Sequence, residues 1–118
     1  MTKLTETVKS GDFKNEKHVP EIEASFEGGL VKVSASVGKE IEHPNTLEHH
    51  ISWIKVFFKA EGAAAPVEVG SYEFNAHGES DVFTVPEVKT CFKSEKKGTV
   101  YGLSMCNIHG LWENVVEL

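Results

Sequence analysis

Sulfur is scarce in this 118-residue chain, basic charge is in deficit, and long apolar runs are missing. The two cysteines, Cys91 and Cys106, allow at most one disulfide, which excludes the dense bridging of a small secreted scaffold. Twelve Lys+Arg stand against 18 Asp+Glu, a formal net charge of −6, and the basic residues form no block. Nucleic acid, whose phosphates need clustered Lys and Arg, is therefore not an expected partner. No apolar run approaches the roughly 20 residues that span a bilayer, and residues 1–20 lack the apolar core of a signal peptide. A soluble, cytoplasmic protein with no membrane partner is expected. No stretch longer than a turn or two follows a 3.6-residue apolar period, so strands must be the main element. A chain of this length buries roughly two-thirds of its unfolded surface. Any metal here would serve function and is not needed for folding.

What is present is alternation. Val31, Val33, Ala35 and Val37 fall on one face of a strand over 30–37, with Lys32, Ser34 and Ser36 on the other. Residues 51–60 are apolar on both faces, which predicts a central strand covered on each side. Further strands are predicted over 21–26, 67–74 with a phase shift at Gly70-Ser71, 81–85 stopped by Pro86, 99–106 and 111–118. Glycine-rich or polar turns separate them at Glu27-Gly28-Gly29, from Glu61-Gly62 to Pro66, at Asn75 to Gly78 and at Lys96-Lys97-Gly98. Seven short strands in about 100 residues predict an all-β fold, an immunoglobulin-like antiparallel β-sandwich. Residues 1–20, polar and without alternation, read as an N-terminal loop arm over that sandwich. Residues 1–118 read as a single domain without repeats or linkers.

Chemistry gathers in three short segments: Glu16-Lys17-His18-Val19-Pro20, the run from His43-Pro44 to His49-His50, and Cys106-Asn107-Ile108-His109-Gly110. The last is a C-x-x-H turn at a strand end, where a thiolate and an imidazole can reach one metal. In the second, Pro44 restrains a loop whose His43 and His49 can turn toward a common point. Taken singly, a loop histidine such as His18 is more often a solvated surface group. His77, beside Gly78, is read that way; His50 is read as a supporting or surface group, and Cys91 as a small buried hydrophobe. Five candidate ligands in three loops favour a metal site over coincidence.

Four imidazoles and one thiolate suit iron, copper, zinc or nickel, and not magnesium or calcium, which prefer oxygen. Zinc favours four ligands. The competing reading is a cupredoxin-like blue-copper electron-transfer protein, which has a similar sandwich and a His₂Cys site with a weak axial Met. No Met follows His109, and Met105 would project to the opposite strand face from Cys106. The expected axial ligand is missing.

These three motifs, in this order and at comparable spacing, resemble the superoxide reductases over nearly the whole chain, specifically their one-iron, single-domain neelaredoxin form. The resemblance implies one iron ion per chain, Fe2+ or Fe3+, held by His18, His43, His49 and His109 in a plane and by the Cys106 thiolate on the axis. Glu16 matches the carboxylate that takes the sixth position in the ferric state, and Lys17 matches the active-site lysine. The implied activity is reduction of superoxide to hydrogen peroxide by inner-sphere one-electron transfer. The four-cysteine domain of the related desulfoferrodoxins cannot be built from Cys91 and Cys106, so the resemblance implies an external electron donor, rubredoxin, and also a homotetramer. Neutral imidazoles and one thiolate would leave either iron state cationic, so a small anion is drawn in despite the acidic chain.

Overall fold

Alternation along the chain becomes a two-sheet sandwich in the computed structural model, which describes residues 1–10, 18–39 and 41–118. Its strands are β1 (Lys9–Ser10), β2 (Glu21–Glu27), β3 (Leu30–Ser36), β4 (Ile51–Ala60), β5 (Val67–Glu73), β6 (Glu87–Lys93), β7 (Gly98–Cys106) and β8 (Gly110–Glu117). One sheet has the order β1-β8-β7-β4-β5 and the other β2-β3-β6. The pairings are antiparallel except β1 with β8, which run parallel. The fold is all-β, as the patterning predicts. The core fills from both sheets: Val31, Val33 and Ala35 of β3 and Val88 of β6 meet Ile54, Val56 and Phe58 of β4 and Val100 of β7. Each Val or Ile buried this fully contributes about 1.5–3 kcal/mol.

Two β-bulges shape the sheet that carries the chemistry. In β5, Val69 is the extra residue between the Gly70–Val56 and Glu68–Phe57 pairs, so the predicted phase shift is a bulge next to Gly70. The Val69 carbonyl accepts a hydrogen bond from Thr90 Oγ1 at 2.9 Å, which ties the edge of one sheet to β6 of the other. In β4, Ser52 is the extra residue between the Ile51–Cys106 and Trp53–Met105 pairs. Its carbonyl is taken by the Phe74 N–H at 2.9 Å. This second bulge lies where β4 starts, directly after the His49-His50 pair.

Three expectations need correction. Residues 81–85 are not a strand: a 3₁₀ turn at Glu79–Asp81 leads to an isolated bridge between His77 and Phe83. The strand instead follows Pro86, at Glu87–Lys93, where Val88, Thr90 and Phe92 face inward and Glu87, Lys89, Cys91 and Lys93 outward. Pro86 lacks an N–H but keeps its carbonyl, which accepts from the Val37 N–H at 3.0 Å, so it precedes a strand without interrupting one. Cys91 is thus exposed on the outer face opposite Lys32 and is not a buried hydrophobe. The arm's described part does more than lie over the sandwich. After a 3₁₀ turn at Leu4–Thr7, Lys9 and Ser10 join the sheet edge beside Trp112 and Glu113. No helix among the described residues is long and apolar enough to cross a membrane.

Gly98 starts β7 where the backbone of the β4 end is very close. A methyl group there would collide with the Lys59 carbonyl and stand 2.9 Å from Ala60 Cα and the Phe58 ring. Gly98→Ala should cost about 1–3 kcal/mol through overpacking and lower the thermal midpoint by about 4 °C or more, as followed by circular dichroism.

Candidate metal centre

The buried face of β7 runs through Val100, Gly102, Ser104 and Cys106, so strand periodicity alone turns the Cys106 sulfur inward, where it is fully buried. The chain then turns through Asn107, Ile108 and His109, and Gly110, at φ 84°, adopts the left-handed backbone that lets it re-enter the sheet as β8. The turn closes on the sulfur. The His109 N–H donates to Cys106 Sγ at 3.3 Å, and His109 Nδ1 stands 3.7 Å from the same atom. A backbone N–H aimed at sulfur disperses the charge of a thiolate.

His18 comes in from the arm and is pinned from below. Ser104 Oγ donates to its carbonyl at 3.2 Å, Asn114 Nδ2 donates to the carbonyl of Pro20 at 2.9 Å, and Pro20 itself is buried. The His18 ring stacks on Trp112, with centroids 4.7 Å apart and planes 14° from parallel. Lys9 Nζ lies 5.1 Å from the centroid of the same indole and donates to the His109 carbonyl at 3.3 Å. The short β1 strand thereby places a cation beside His109 of the cluster and beside the indole on which His18 stacks.

The loop between β3 and β4 carries His43 and His49. Gly38, at φ 81°, comes so near that a Cβ would stand 2.7 Å from the His43 nitrogen, so only glycine fits there. His43 Nδ1–H donates to the Pro44 carbonyl at 2.7 Å, which leaves the Nε2 lone pair for another partner. Reciprocal backbone bonds between Thr46 and His49, at 2.9 and 3.2 Å, close the loop tip. Asn107 joins this loop to the cysteine turn: its Oδ1 accepts the His50 N–H at 2.8 Å and its Nδ2 donates to the Glu48 carbonyl at 2.9 Å.

The four rings form a near-square. Centroid separations around its edges are 4.7 Å for His18–His43, 4.7 Å for His43–His49, 4.9 Å for His49–His109 and 4.8 Å for His109–His18, with 6.4 Å across the His18–His49 diagonal. Ligand atoms of His18, His49, Cys106 and His109 all lie within 4.8 Å of one another. His18 Nε2 and His109 Nδ1 face each other at 3.1 Å, a gap that a proton or a shared cation can bridge. Bonds of about 2.0–2.3 Å from nitrogen and sulfur to a first-row metal fit a set this tight, and the donor types match such a metal and not magnesium or calcium. The segments therefore bring the ligand atoms of His18, His49, Cys106 and His109 into one group; the His43 ring lies beside that group, 4.7 Å from the rings of His18 and His49. Glu16 and Lys17 lie outside the described residues.

Several residues around this cluster were not expected from the sequence. Asn107 stands inside the C-x-x-H motif, yet nothing in the motif says which loop its amide holds. Asn45 donates through Nδ2 to the Thr84 carbonyl at 2.8 Å, and its Oδ1 meets His77 Nδ1 at 2.6 Å. His77 corrects the reading as a solvated turn residue: it is only 8% exposed. Its N–H is the largest cause holding the Glu79 carboxyl below the usual carboxylate range. His50 supports the loop as expected, with Nδ1–H donating to the Thr46 carbonyl at 2.8 Å.

The desulfoferrodoxin family model matches residues 10–115. A superoxide reductase of Pyrococcus horikoshii is 59% identical, over 98% of this chain and 98% of its own. Neelaredoxin of Megalodesulfovibrio gigas is 45% identical over 95% and 94% of the two chains. Among solved structures, an oxidised superoxide reductase superposes with a TM-score of 0.92 at 54% identity, covering 98% of this chain and 99% of that one. With the match running from β1 through β8 and taking in all three segments of the cluster, the chain belongs to the desulfoferrodoxin family.

Proposed function

We propose that this chain is a superoxide reductase, taking superoxide, one external electron and two protons to hydrogen peroxide. The observation that carries this reading is the near-square of His18, His43, His49 and His109 closed on one side by Cys106, in a chain 59% identical to a superoxide reductase. Iron held by those five residues would supply the one-electron redox chemistry, cycling between Fe2+ and Fe3+. The cupredoxin-like copper reading is not favoured: Met105 pairs with Trp53 and Leu111 on the strand face opposite Cys106, and the relatives compared are superoxide reductases and a neelaredoxin.

The protein's own groups divide the remaining tasks. Four neutral imidazoles and one thiolate would leave a bound iron ion with a net positive charge, which would attract a small anion. His43 Nδ1–H, held on the Pro44 carbonyl, fixes the tautomer that offers Nε2. Lys17 directly precedes His18 in the sequence. As the active-site lysine, its ammonium would raise the local concentration of superoxide and help deliver a proton through water. Glu16 would offer its carboxylate to the iron in its oxidised state. Rubredoxin is the proposed electron donor, the cytoplasm the proposed compartment, and a homotetramer the proposed assembly.

Anaerobic pulse radiolysis of the iron-loaded chain tests the reading as a whole. Second-order oxidation of Fe2+ by superoxide at one iron per chain supports it, and one copper per chain with no such reaction sinks it. Lys17→Ala should slow that reaction by about tenfold and flatten its dependence on ionic strength. Glu16→Ala should leave the encounter rate near wild type while altering the ferric spectrum across pH. Loss of the visible thiolate-to-iron band is expected in Cys106→Ser; a persistent band would point to Cys91 instead.

A further inference from the structure

Three contacts converge on His77, a residue outside the cluster of five. Its Nδ1–H donates to Asn45 Oδ1 at 2.6 Å. Its ring lies flat on His50, with centroids 3.6 Å apart and planes 11° from parallel. Its backbone N–H donates to Glu79 Oε1 at 2.5 Å, which anchors it to its own turn. Asn45 follows His43 by two positions and His50 follows His49 directly, so His77 grips the ligand loop beside each of its two candidate ligands.

The grip is rigid on both sides. Asn45 is held by its second polar group on the Thr84 carbonyl, and Thr84 returns two bonds to Ala76, from N at 2.8 Å and from Oγ1 at 3.0 Å. The His50 ring is fixed by the Thr46 carbonyl and its N–H by Asn107. Beyond His77 the turn is strained: Ser80 and Asp81 have φ of 52° and 59°, the left-handed region that side chains disfavour. Backbone in that region persists only where its surroundings hold it. Stacked planes rule out both imidazoles offering in-plane lone pairs to one cation, so the His50–His77 pair is a support and not a second metal site.

We propose that His77 is a positioning residue of the metal centre, holding Asn45 and His50 so that the His43–His49 edge is set before a metal arrives. This rests on the reading of the cluster as a metal site. Without His77, metal binding would have to order the 43–50 loop, and affinity falls by the cost of that ordering.

The test uses the full chain, Fe2+ under anaerobic conditions, and the variants His77→Ala, His77→Phe and His77→Gln. Phenylalanine keeps the stack and loses the bond to Asn45, whereas glutamine can keep the bond. The expected result is Fe2+ affinity weaker by about 10–100-fold in His77→Ala and His77→Phe, with a changed ferric electron-paramagnetic-resonance signal and substantial recovery in His77→Gln. In the chelator-treated chain, hydrogen exchange at the His49 and His50 amides should be about tenfold faster in His77→Phe. Wild-type affinity, signal and exchange in His77→Phe, with one iron bound per wild-type chain, overturns the inference and leaves the reductase reading standing. If His77→Ala does not fold, the phenylalanine and glutamine variants decide alone. A wild-type chain that takes up no stoichiometric Fe2+ overturns both.

Discussion

The pairing of Ile51 with Cys106 across the β4–β7 ladder is the constraint on which the centre depends. It joins the end of one strand, where a thiol is delivered, to the beginning of another, where a histidine-bearing loop has just finished. The Ser52 bulge at this point locally raises the twist, and the Ser52 carbonyl is taken by Phe74 and so is not left unpaired. Once that register is set, the loop ending at His50 and the turn from Cys106 to His109 are neighbours. The Asn107 amide then needs only to span the gap, which it does in both directions.

From this junction the site is a sequence of polar contacts resting on an apolar sandwich. Ser104 and Asn114 hold the carbonyls of His18 and Pro20, so strands β7 and β8 locate this end of the arm. Pro44, Thr46 and the His49 backbone fix one loop, and the His109 N–H fixes the other on the Cys106 sulfur. Each contact is modest, about 0.5–1.5 kcal/mol for a neutral hydrogen bond. Together they hold the donors of His18, His49, Cys106 and His109 within 4.8 Å of one another, with the His43 ring alongside. Function follows from the charge that remains: a cluster of neutral imidazoles with one sulfur can leave a bound cation positive.

Residue chemistry made much of this legible in advance. Imidazole and thiolate are the only soft donors in the chain apart from methionine, so His18, His43, His49, Cys106 and His109 stand out by type and spacing. The alternation of β3 was readable for a similar reason, since one buried face demands period two. The inward set Val88, Thr90 and Phe92 of β6 is equally present in the sequence, but a proline reads there as the end of a strand, whereas the Pro86 carbonyl serves Val37 just before the next one. Cys91 went with it, because a one-position choice of register decides which face a strand residue takes.

His77, Asn45 and Asn107 were not legible, and the reason is general. A hydrogen-bond partner can be almost any polar residue, and these pairs join positions 32 and 59 residues apart. The sequence by itself determined the donor set, the all-β class and the superoxide reductase resemblance, because those depend on residue type and short-range period. Only the tertiary structure decided that four imidazoles form a square, that His109 presents Nδ1 toward His18 and the sulfur, and that a histidine read as solvated is buried against the ligand loop. Distances between loops are set by strand register and bulges, and those emerge from the packing of the whole sandwich and not from any one segment.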